Sequence, residues 1–151
     1  MAEQRTELLI TAPAERIWEL LCDLKLYQHW NPLFPRAAGT IEQGKELELT
    51  VHLPNMTDFT IRPVLTDVEA PKLLAWRHSF LTSLIFTWEY RIELEPAEEE
   101  RLKIVQRSVF KGLLAPLFSF ALSAPLREAQ DHLNRALTRW GEKGNVRCLK
   151  C

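Results

Sequence analysis

The sequence predicts an α+β fold in which a curved, seven-stranded antiparallel sheet wraps around one long C-terminal helix. Between residues 36 and 110, apolar and polar residues alternate in a series of short runs, and alternation with a period of two indicates half-buried strands. After Gly112 the apolar residues recur at intervals of three and four, which indicates an amphipathic helix. The short turn segments between the runs favour antiparallel hairpins.

The curvature of the sheet follows from its width. Seven strands spaced by about 4.8 Å span about 30 Å, whereas a helix with its side chains is only about 10–12 Å wide. Because one helix cannot cover a flat sheet of this width, we expect the sheet to curl around the helix. Curling leaves a hollow between them, which the five tryptophans and seven phenylalanines of the chain would either fill or line.

The N-terminal part of the chain predicts one strand and two helical segments. A strand over residues 7–12 leads into a helix, because Pro13 and Glu15 suit a first helical turn and Thr11 offers a hydroxyl cap. A second, short helical turn is expected over residues 27–30, before a proline stops it.

The remaining strands and the terminal helix follow from the two periodicities. Six strand-like runs are separated by turn or strand-breaking residues: residues 37–42, 46–53, 59–68, 73–80, 84–95 and 101–110. The final helix is expected to kink near Pro125 and to end at Gly141 and Gly144.

The run at residues 86–94 is the most informative strand. It places Phe86, Trp88 and Tyr90 on one face and charged side chains on the other. A wall of such large rings predicts that the sheet surrounds something bulky, either a helix or a ligand. The same parity puts Trp76 and His78 on one inward face of the preceding run.

Composition narrows the classes of function. The chain has 151 residues, 46% hydrophobic and 26% charged, with a formal net charge of −1, so we expect one domain over residues 1–144 with a tail at 145–151. This charge balance gives no attraction for nucleic acid. Charged residues near the N-terminus interrupt any export signal, which predicts a cytoplasmic protein. The apolar stretch at residues 113–126 is shorter than the roughly 18 residues of a membrane span.

The cysteines predict neither a metal site nor a redox centre. Cys22 lies among apolar helix positions and is interpreted as packing, whereas Cys148 and Cys151 form a lone pair of thiols in the tail. A zinc site needs four ligands, and no second pair accompanies them. We therefore expect no metal and no cofactor.

Four segments together resemble a known family. They are residues 12–18 (Ala-Pro-Ala-Glu-Arg-Ile-Trp), 27–32 (Tyr-Gln-His-Trp-Asn-Pro), 74–76 (Leu-Ala-Trp) and 133–137 (Leu-Asn-Arg-Ala-Leu). With the order of elements, they resemble the polyketide cyclase/dehydrase and lipid-transport-like group of the START/Bet v 1-like (SRPBCC) superfamily, over residues 5–143. The resemblance implies a helix-grip fold with an apolar cavity between sheet and helix.

The candidate ligand-binding residues are those expected to face the hollow or its mouth. They are Trp30, Asn31, Phe34, Trp76, His78, Phe86, Trp88, Tyr90, Gln106, Ser108, Phe110, Phe118 and Leu122. Gln106 and Ser108 would supply neutral polar points in an otherwise apolar pocket. Trp30 and Phe34 would rim the mouth and Asn31 would offer an amide, although the interpretation we favour has Trp30 plugging the sheet edge and Asn31 capping a turn.

Three hypotheses about function remain open from the sequence. The first is a module that binds a small hydrophobic molecule, such as a lipid, polyketide or aromatic metabolite, in the cavity. The second is an enzyme of the cyclase or dehydratase kind, in which His78, or a partner such as Arg107 or Asp131, provides acid/base help. The third is an interaction protein that meets another subunit, for example as a homodimer, through residues 113–126.

Overall fold

The protein has the expected α+β fold, with a long C-terminal helix packed on a large antiparallel sheet. The structure, a computed structural model, describes residues 2–80 and 82–142. A single 3₁₀ turn at Leu24–Leu26 precedes the second helix. The strands and helices run in the order β1 (Ala2–Ile10), α1 (Ala14–Cys22), α2 (Tyr27–Trp30), β2 (Arg36–Ala38), β3 (Glu48–Val51), β4 (Phe59–Ile61), β5 (Val64–Glu69), β6 (Leu73–Phe80), β7 (Phe86–Pro96), β8 (Leu102–Lys111) and α3 (Ala115–Glu142).

The strands form two antiparallel sheets. The larger sheet has the order β1-β8-β7-β6-β5, and the smaller has the order β2-β3-β4. An isolated bridge between Glu46 and Val64 joins the two. The strand count is eight rather than seven because the run at residues 59–68 divides into β4 and β5 at Pro63, whose nitrogen cannot donate to a ladder.

The register of the large sheet brings its inward side chains into rows that cross the strands. One row consists of Trp76, Tyr90, Ser108 and Gln4 on β6, β7, β8 and β1. The next row towards the β6–β7 turn contains His78, Trp88 and Phe110, and the row on the other side contains Leu74, Ile92, Gln106 and Thr6. The concave face therefore carries rings towards one edge of the sheet and a polar stripe along β8 and β1.

The two halves of α3 have different surroundings. The second half packs on the concave face, where Leu126, Leu133 and Leu137 are buried. The first half is largely exposed, although Gln4 Nε2 donates a hydrogen bond of 2.6 Å to the carbonyl oxygen of Ser123. Pro125 lies inside the helix, at the boundary between the two halves.

The end of α3 lies close to the predicted position. The described helix runs through Glu142, one residue beyond Gly141, and helix ends are defined only to within one or two residues. At Gly141 a Cβ would lie 2.6 Å from Ile17 Cδ1, so this glycine lets α3 approach α1 closely. Gly144 and the tail lie outside the described residues.

Thr11 does not cap α1. The helix begins at Ala14, after Pro13, and no side chain caps its N-terminus. The backbone N–H of Thr11 donates a hydrogen bond of 3.0 Å to the Glu142 carboxylate. The short helix α2 matches the prediction. In the part of the chain that the structure describes, no helix is long and apolar enough to cross a membrane.

Candidate functional site

A cluster of four large rings lies on the concave face of the large sheet. Trp76, Trp88 and Tyr90 project from β6 and β7, and Phe34 reaches them from the loop after α2. The ring centroids in contact are 5.0 to 6.5 Å apart, with Trp76 stacked on Tyr90 at 5.3 Å. All four side chains are buried. The strand register explains three of these positions, whereas Phe34 arrives from outside the sheet.

The loop that carries Phe34 is held by Asn31. The Oδ1 atom of Asn31 accepts hydrogen bonds from the backbone N–H groups of Leu33 and Phe34, at 3.0 and 2.8 Å. The carboxamide oxygen of Asn31 is therefore engaged with its own turn, as an Asx turn requires. Phe34 itself lies inside the cluster rather than at the rim.

The rings fill most of the hollow between sheet and helix. A cavity of about 20 Å³ remains beside them, which is room for roughly one water molecule. The residues of its wall are apolar except for two tyrosines and one asparagine. They are Leu21, Leu24, Tyr27, Asn31, Phe34, Ile41, Leu47, Leu49, Leu74, Trp76, Tyr90, Ile92 and Leu133. A ligand larger than a water molecule fits this cavity only if at least one of the rings moves.

An open surface groove lies on the other side of Asn31. The groove has a volume of about 550 Å³, and its wall includes Trp30, Asn31, His52, Asp58 and Trp140. Asn31 also lines the internal cavity, so it forms part of the partition between the cavity and the groove. Trp30 is buried and packs edge-on against the ring of Tyr27 at 5.5 Å, away from the main ring cluster.

A second group of rings continues the wall towards the β6–β7 turn. Phe86 stacks on Phe110 at 5.5 Å and contacts Phe118 of α3 at 4.5 Å. Phe110 lies 6.0 Å from Trp88, which joins this group to the first cluster. Leu122, one turn further along α3, is partly buried against the same core.

A buried hydrogen-bond network crosses the polar stripe. The Tyr90 hydroxyl donates to Gln106 Oε1 at 2.6 Å, and Gln106 Nε2 donates to Asn134 Oδ1 at 2.7 Å. Asn134 Nδ2 then donates to Thr6 Oγ1 at 3.2 Å. Burial raises the pKa of Tyr90 well above its ordinary value, so its hydroxyl keeps its proton and acts as the donor. The network holds β7, β8 and β1 against α3.

Two further glutamines belong to this polar stripe. Gln130 Nε2 donates to Ser108 Oγ at 3.3 Å, and Gln4 lies directly opposite Ser108 on β1. Within residues 2–80 and 82–142, the Oε1 atoms of Gln4 and Gln130 and the indole nitrogen of Trp88 are buried without a hydrogen-bond partner. Buried polar atoms without a hydrogen-bond partner are rare in folded proteins, because each one lowers the free energy of unfolding.

The sequence analysis missed four residues of the stripe: Thr6, Gln4, Gln130 and Asn134. A signal for them exists in the same periodicities. Gln130 and Asn134 occupy positions on the apolar stripe of α3 between Leu126 and Leu137, and Gln4 and Thr6 share the parity of Leu8 and Ile10 on β1. Polar residues at positions that periodicity assigns to the core indicate a buried polar contact.

His78 lies on the concave face near its edge and is only partly buried. Its Nδ1 atom accepts a hydrogen bond of 3.3 Å from the backbone N–H of Arg62, and its ring packs edge-on against Phe80. Burial lowers the pKa of His78, because the charged ring would lose hydration there. The neutral ring with a backbone partner is the form that this position favours.

The partners that the sequence suggested for His78 lie elsewhere. Arg107 lies between Gln106 and Ser108 on β8, so its side chain is on the opposite, convex face of the sheet. There its Nε atom is 3.0 Å from a carboxylate oxygen of Glu3. Asp131 is exposed on α3. The proposed acid/base grouping of His78 with Arg107 or Asp131 is therefore corrected: the fold does not bring them together.

Cys22 of α1 is a free, partly buried cysteine. Burial raises the pKa of Cys22 to about 11, so it stays a thiol at neutral pH. Cys148 and Cys151 lie outside the described residues. Among residues 2–80 and 82–142, no group of three or more His, Cys, Asp or Glu side chains is arranged to hold a metal ion.

Comparison with known proteins supports the resemblance noted from the sequence. A family model described as polyketide cyclase/dehydrase and lipid transport matches residues 1–139. The chain belongs to this family. Sequence comparison with curated proteins gives no match.

Several solved structures have the same fold as this chain, although their sequence identity to it is low. A START superfamily protein from Mycobacterium smegmatis is 17% identical, with a TM-score of 0.68 over 93% of this chain and 97% of that one. The Zhui aromatase/cyclase from a Streptomyces species is 18% identical, with a TM-score of 0.71 over 94% of each chain. A hypothetical protein from Helicobacter pylori is 10% identical, with a TM-score of 0.75 over 93% of this chain and 88% of that one. The helix-grip architecture is thus shared.

Proposed function

We propose that the protein binds one small, uncharged, mainly apolar molecule between the concave face and α3. The observation that carries this proposal is the continuous wall of rings that joins Phe34, Trp76, Trp88 and Tyr90 beside an apolar cavity. Small-molecule sites are generally concave and apolar with a few placed polar groups. The chain belongs to a family described as polyketide cyclase/dehydrase and lipid transport, and this membership supports a role in binding a small apolar molecule.

The interior chemistry favours an uncharged ligand. In the described ranges, the buried polar side chains are amides and hydroxyls: Gln4, Asn31, Thr87, Gln106, Ser108, Gln130 and Asn134. A carboxylate or phosphate placed among these groups would lose its hydration without gaining a cationic partner, which costs several kcal/mol by general experience with buried ions. An aromatic or aliphatic molecule incurs no such cost.

Phe34 is the ring best placed to make room. It alone among the four rings of the cluster comes from a loop, whereas the others are fixed by the ladders between β6, β7 and β8. The loop lies beside Asn31, which separates the surface groove from the cavity. We therefore infer that a ligand reaches the interior from the groove and takes the position of the Phe34 ring.

Binding can be tested with N-phenyl-1-naphthylamine, an uncharged aromatic probe whose fluorescence rises in apolar surroundings. The protein is expected to bind it with one site per chain and a Kd in the range of about 1–10 µM. Enlarging one of the residues that line the cavity, Ile41→Trp, should weaken binding by about tenfold because the larger ring occupies space that the probe needs.

The matched control is Leu9→Trp, because Leu9 is half exposed on the outside of β1. This variant adds the same ring away from the cavity and should bind the probe as the parent protein does. If the parent protein gives no saturable signal, or if both variants lose affinity equally, the proposed site is wrong.

A second candidate function is self-association through the first half of α3. Leu117 and Phe120 are 63% and 87% exposed, and residues three positions apart are neighbours on a helix surface. Leu113, in the turn before α3, is 79% exposed. The interval 112–126 contains no charged residue, so two copies can meet there without like-charge repulsion. Apolar surfaces of this kind mark interaction sites, and the partner we propose is a second copy of the chain.

Analytical ultracentrifugation tests this interface. The parent protein should sediment as a dimer at concentrations of about 10–100 µM, and Leu117→Ser combined with Phe120→Ser should shift it to a monomer. Leu9→Ser combined with Val64→Ser removes two other exposed apolar residues and should leave the dimer intact. A parent protein that is monomeric at the highest concentration would rule out self-association.

A further inference from the structure

A row of arginines crosses the convex face of the large sheet. The strand register places Arg91 of β7 directly opposite Arg107 of β8, and Arg107 directly opposite Arg5 of β1. Their side chains point away from the ring cluster, because the residues before and after each of them along the strand face the concave side. Like charges that lie directly opposite each other in a sheet are unfavourable. Arg5 forms an ion pair with Glu7 on its own strand, which leaves the charges of Arg91 and Arg107 to be balanced by other groups.

Acidic neighbours balance Arg91 and Arg107 only in part. A carboxylate oxygen of Glu3 lies 3.0 Å from Arg107 Nε, and one of Glu93 lies 3.4 Å from Arg91 Nε. Neither contact has the geometry of a hydrogen bond, and both Nε atoms are buried without a hydrogen-bond partner among the described residues. A guanidinium group carries five N–H donors. These two side chains therefore hold donors that the described part of the chain does not satisfy.

A groove of about 390 Å³ lies beside these two arginines. Arg77 of β6 also lines the groove, and its side chain has neither a hydrogen bond nor an ion pair with any described residue. The residue opposite Arg91 on β6 is Ala75, whose single methyl group leaves the space above the strand open. Three guanidinium groups with unused donors thus border one recess on the outside of the sheet.

The acidic residues of the groove limit the charge that it can take up. Its lining contains Glu3, Asp67 and Glu89 beside the three arginines, so three positive and three negative groups give a formal charge of zero. Glu89 is 3.2 Å from the Nζ atom of Lys111. Because the lining is neutral as a whole, it exerts little long-range attraction on polyanions. Binding of an anion must come from short, charge-assisted hydrogen bonds to the guanidinium groups.

We propose that Arg77, Arg91 and Arg107 bind the phosphate group of a small phosphate monoester in this groove. A phosphate monoester presents three terminal oxygens, which suit three guanidinium groups, and arginine donates paired hydrogen bonds to such oxygens. The bound anion places negative charge between Arg91 and Arg107 and gives their donors acceptors. This site is separate from the proposed ligand site, because the arginines project from the convex face and the ring cluster from the concave face.

An NMR titration with methyl phosphate tests the site, at a constant ionic strength of about 0.15 M. The Nε–H signals of Arg91 and Arg107 should shift and saturate, with a Kd of about 1–10 mM. Dimethyl phosphate, which has one charge and two free oxygens like the headgroup diester of a phospholipid, should bind about fivefold more weakly or less. Tripolyphosphate should bind no more than about threefold more tightly than methyl phosphate, because the acidic side chains of the groove repel its additional charge.

Variants locate the binding. Arg91→Gln and Arg107→Gln should each weaken methyl phosphate binding by about tenfold, through the loss of charge-assisted hydrogen bonds. Arg135→Gln is the control, because it removes an exposed arginine of α3, and it should leave the affinity unchanged. Without phosphate, both groove variants should melt within about 2 °C of the parent protein or above it, since each removes one of two opposed like charges.

The outcomes distinguish a binding site from a structural ion-pair network and from a general basic surface. Lack of saturable shifts in the parent protein overturns the proposal, as does equal affinity for methyl and dimethyl phosphate. Groove variants that melt more than about 5 °C below the parent but keep its phosphate affinity would show that the arginines serve only the fold. Tripolyphosphate bound more than about tenfold more tightly would indicate an unspecific surface. Arg91→Gln should leave the affinity for N-phenyl-1-naphthylamine unchanged, so this inference and the proposed function fail independently.

Discussion

Phe34→Ala is expected to lower the free energy of unfolding by about 3–5 kcal/mol, the usual cost of removing a buried phenylalanine ring. Phe34 is 4% exposed and contacts Trp76, Trp88 and Tyr90. Its neighbours on β6 and β7 are held by the sheet and cannot collapse fully into the space. Urea denaturation measures the loss directly, and in a chain of this size the melting temperature should fall by roughly 10 °C.

The same substitution should strengthen ligand binding. It leaves an apolar space on the order of 100 Å³, comparable to engineered cavities that admit benzene. Because a ligand no longer has to displace the ring, the affinity for N-phenyl-1-naphthylamine should rise about tenfold, as measured by fluorescence titration. Loss of stability combined with gain of affinity distinguishes a ring that occupies the ligand's position from a ring that forms the wall.

Leu9→Ala is the control, because Leu9 is half exposed on the outside of β1 and belongs neither to the ring cluster nor to the proposed interface. It should change the free energy of unfolding by no more than about 1 kcal/mol and leave the probe affinity unchanged. If Phe34→Ala instead weakens binding in proportion to the lost contact area, Phe34 forms the wall of the site and the proposed route through the α2–β2 loop is wrong.

Gln106→Leu should lower the free energy of unfolding by about 2–4 kcal/mol, although leucine is close to glutamine in size. The side chain of Gln106 is fully buried and connects the Tyr90 hydroxyl to Asn134 Oδ1. Leucine leaves both of those groups in the core without their partner, and each unpaired buried group costs about 1–3 kcal/mol. Chemical denaturation measures this loss, with Gln43→Leu as the exposed control.

A double-mutant cycle separates the network from simple packing. Asn134→Leu removes the next group in the chain of hydrogen bonds, so the double variant Gln106→Leu with Asn134→Leu has fewer unpaired atoms than the two single variants together. Its loss of stability should be smaller than their sum by about 1–2 kcal/mol. Strictly additive losses would show that the hydrogen bonds across the stripe do not stabilise the fold as a unit.

The order and type of most elements were predictable from local sequence. The alternation at residues 86–94 predicted which side chains of β7 face inward, and Phe86, Trp88 and Tyr90 are indeed buried. The helical turn at Tyr27–Trp30 also matches. The differences occur at Pro63, which divides one predicted strand into two, and at Thr11, which does not cap α1 and whose backbone N–H donates to the Glu142 carboxylate of α3.

The candidate site was only partly predictable. Gln106 and Ser108 were placed on the inward face from the parity of β8. Gln4 belongs to β1 and Gln130 and Asn134 to α3, two segments more than a hundred residues apart in the chain. Their meeting depends on how β1 pairs with β8 and on the rotation of α3 above both. Periodicity assigns each residue to a face of its own element and says nothing about which polar groups from different elements meet.

The amino-acid sequence by itself determined the α+β class, the aromatic concave face and the family, because periodicity and local motifs depend on short-range chemistry. The tertiary structure decided that the rings fill the hollow, that Phe34 enters the cluster from a loop, and that His78 lies apart from Arg107 and Asp131. Those facts depend on side-chain packing and strand register across distant segments, since a hollow exists only where the facing surfaces leave a volume unfilled.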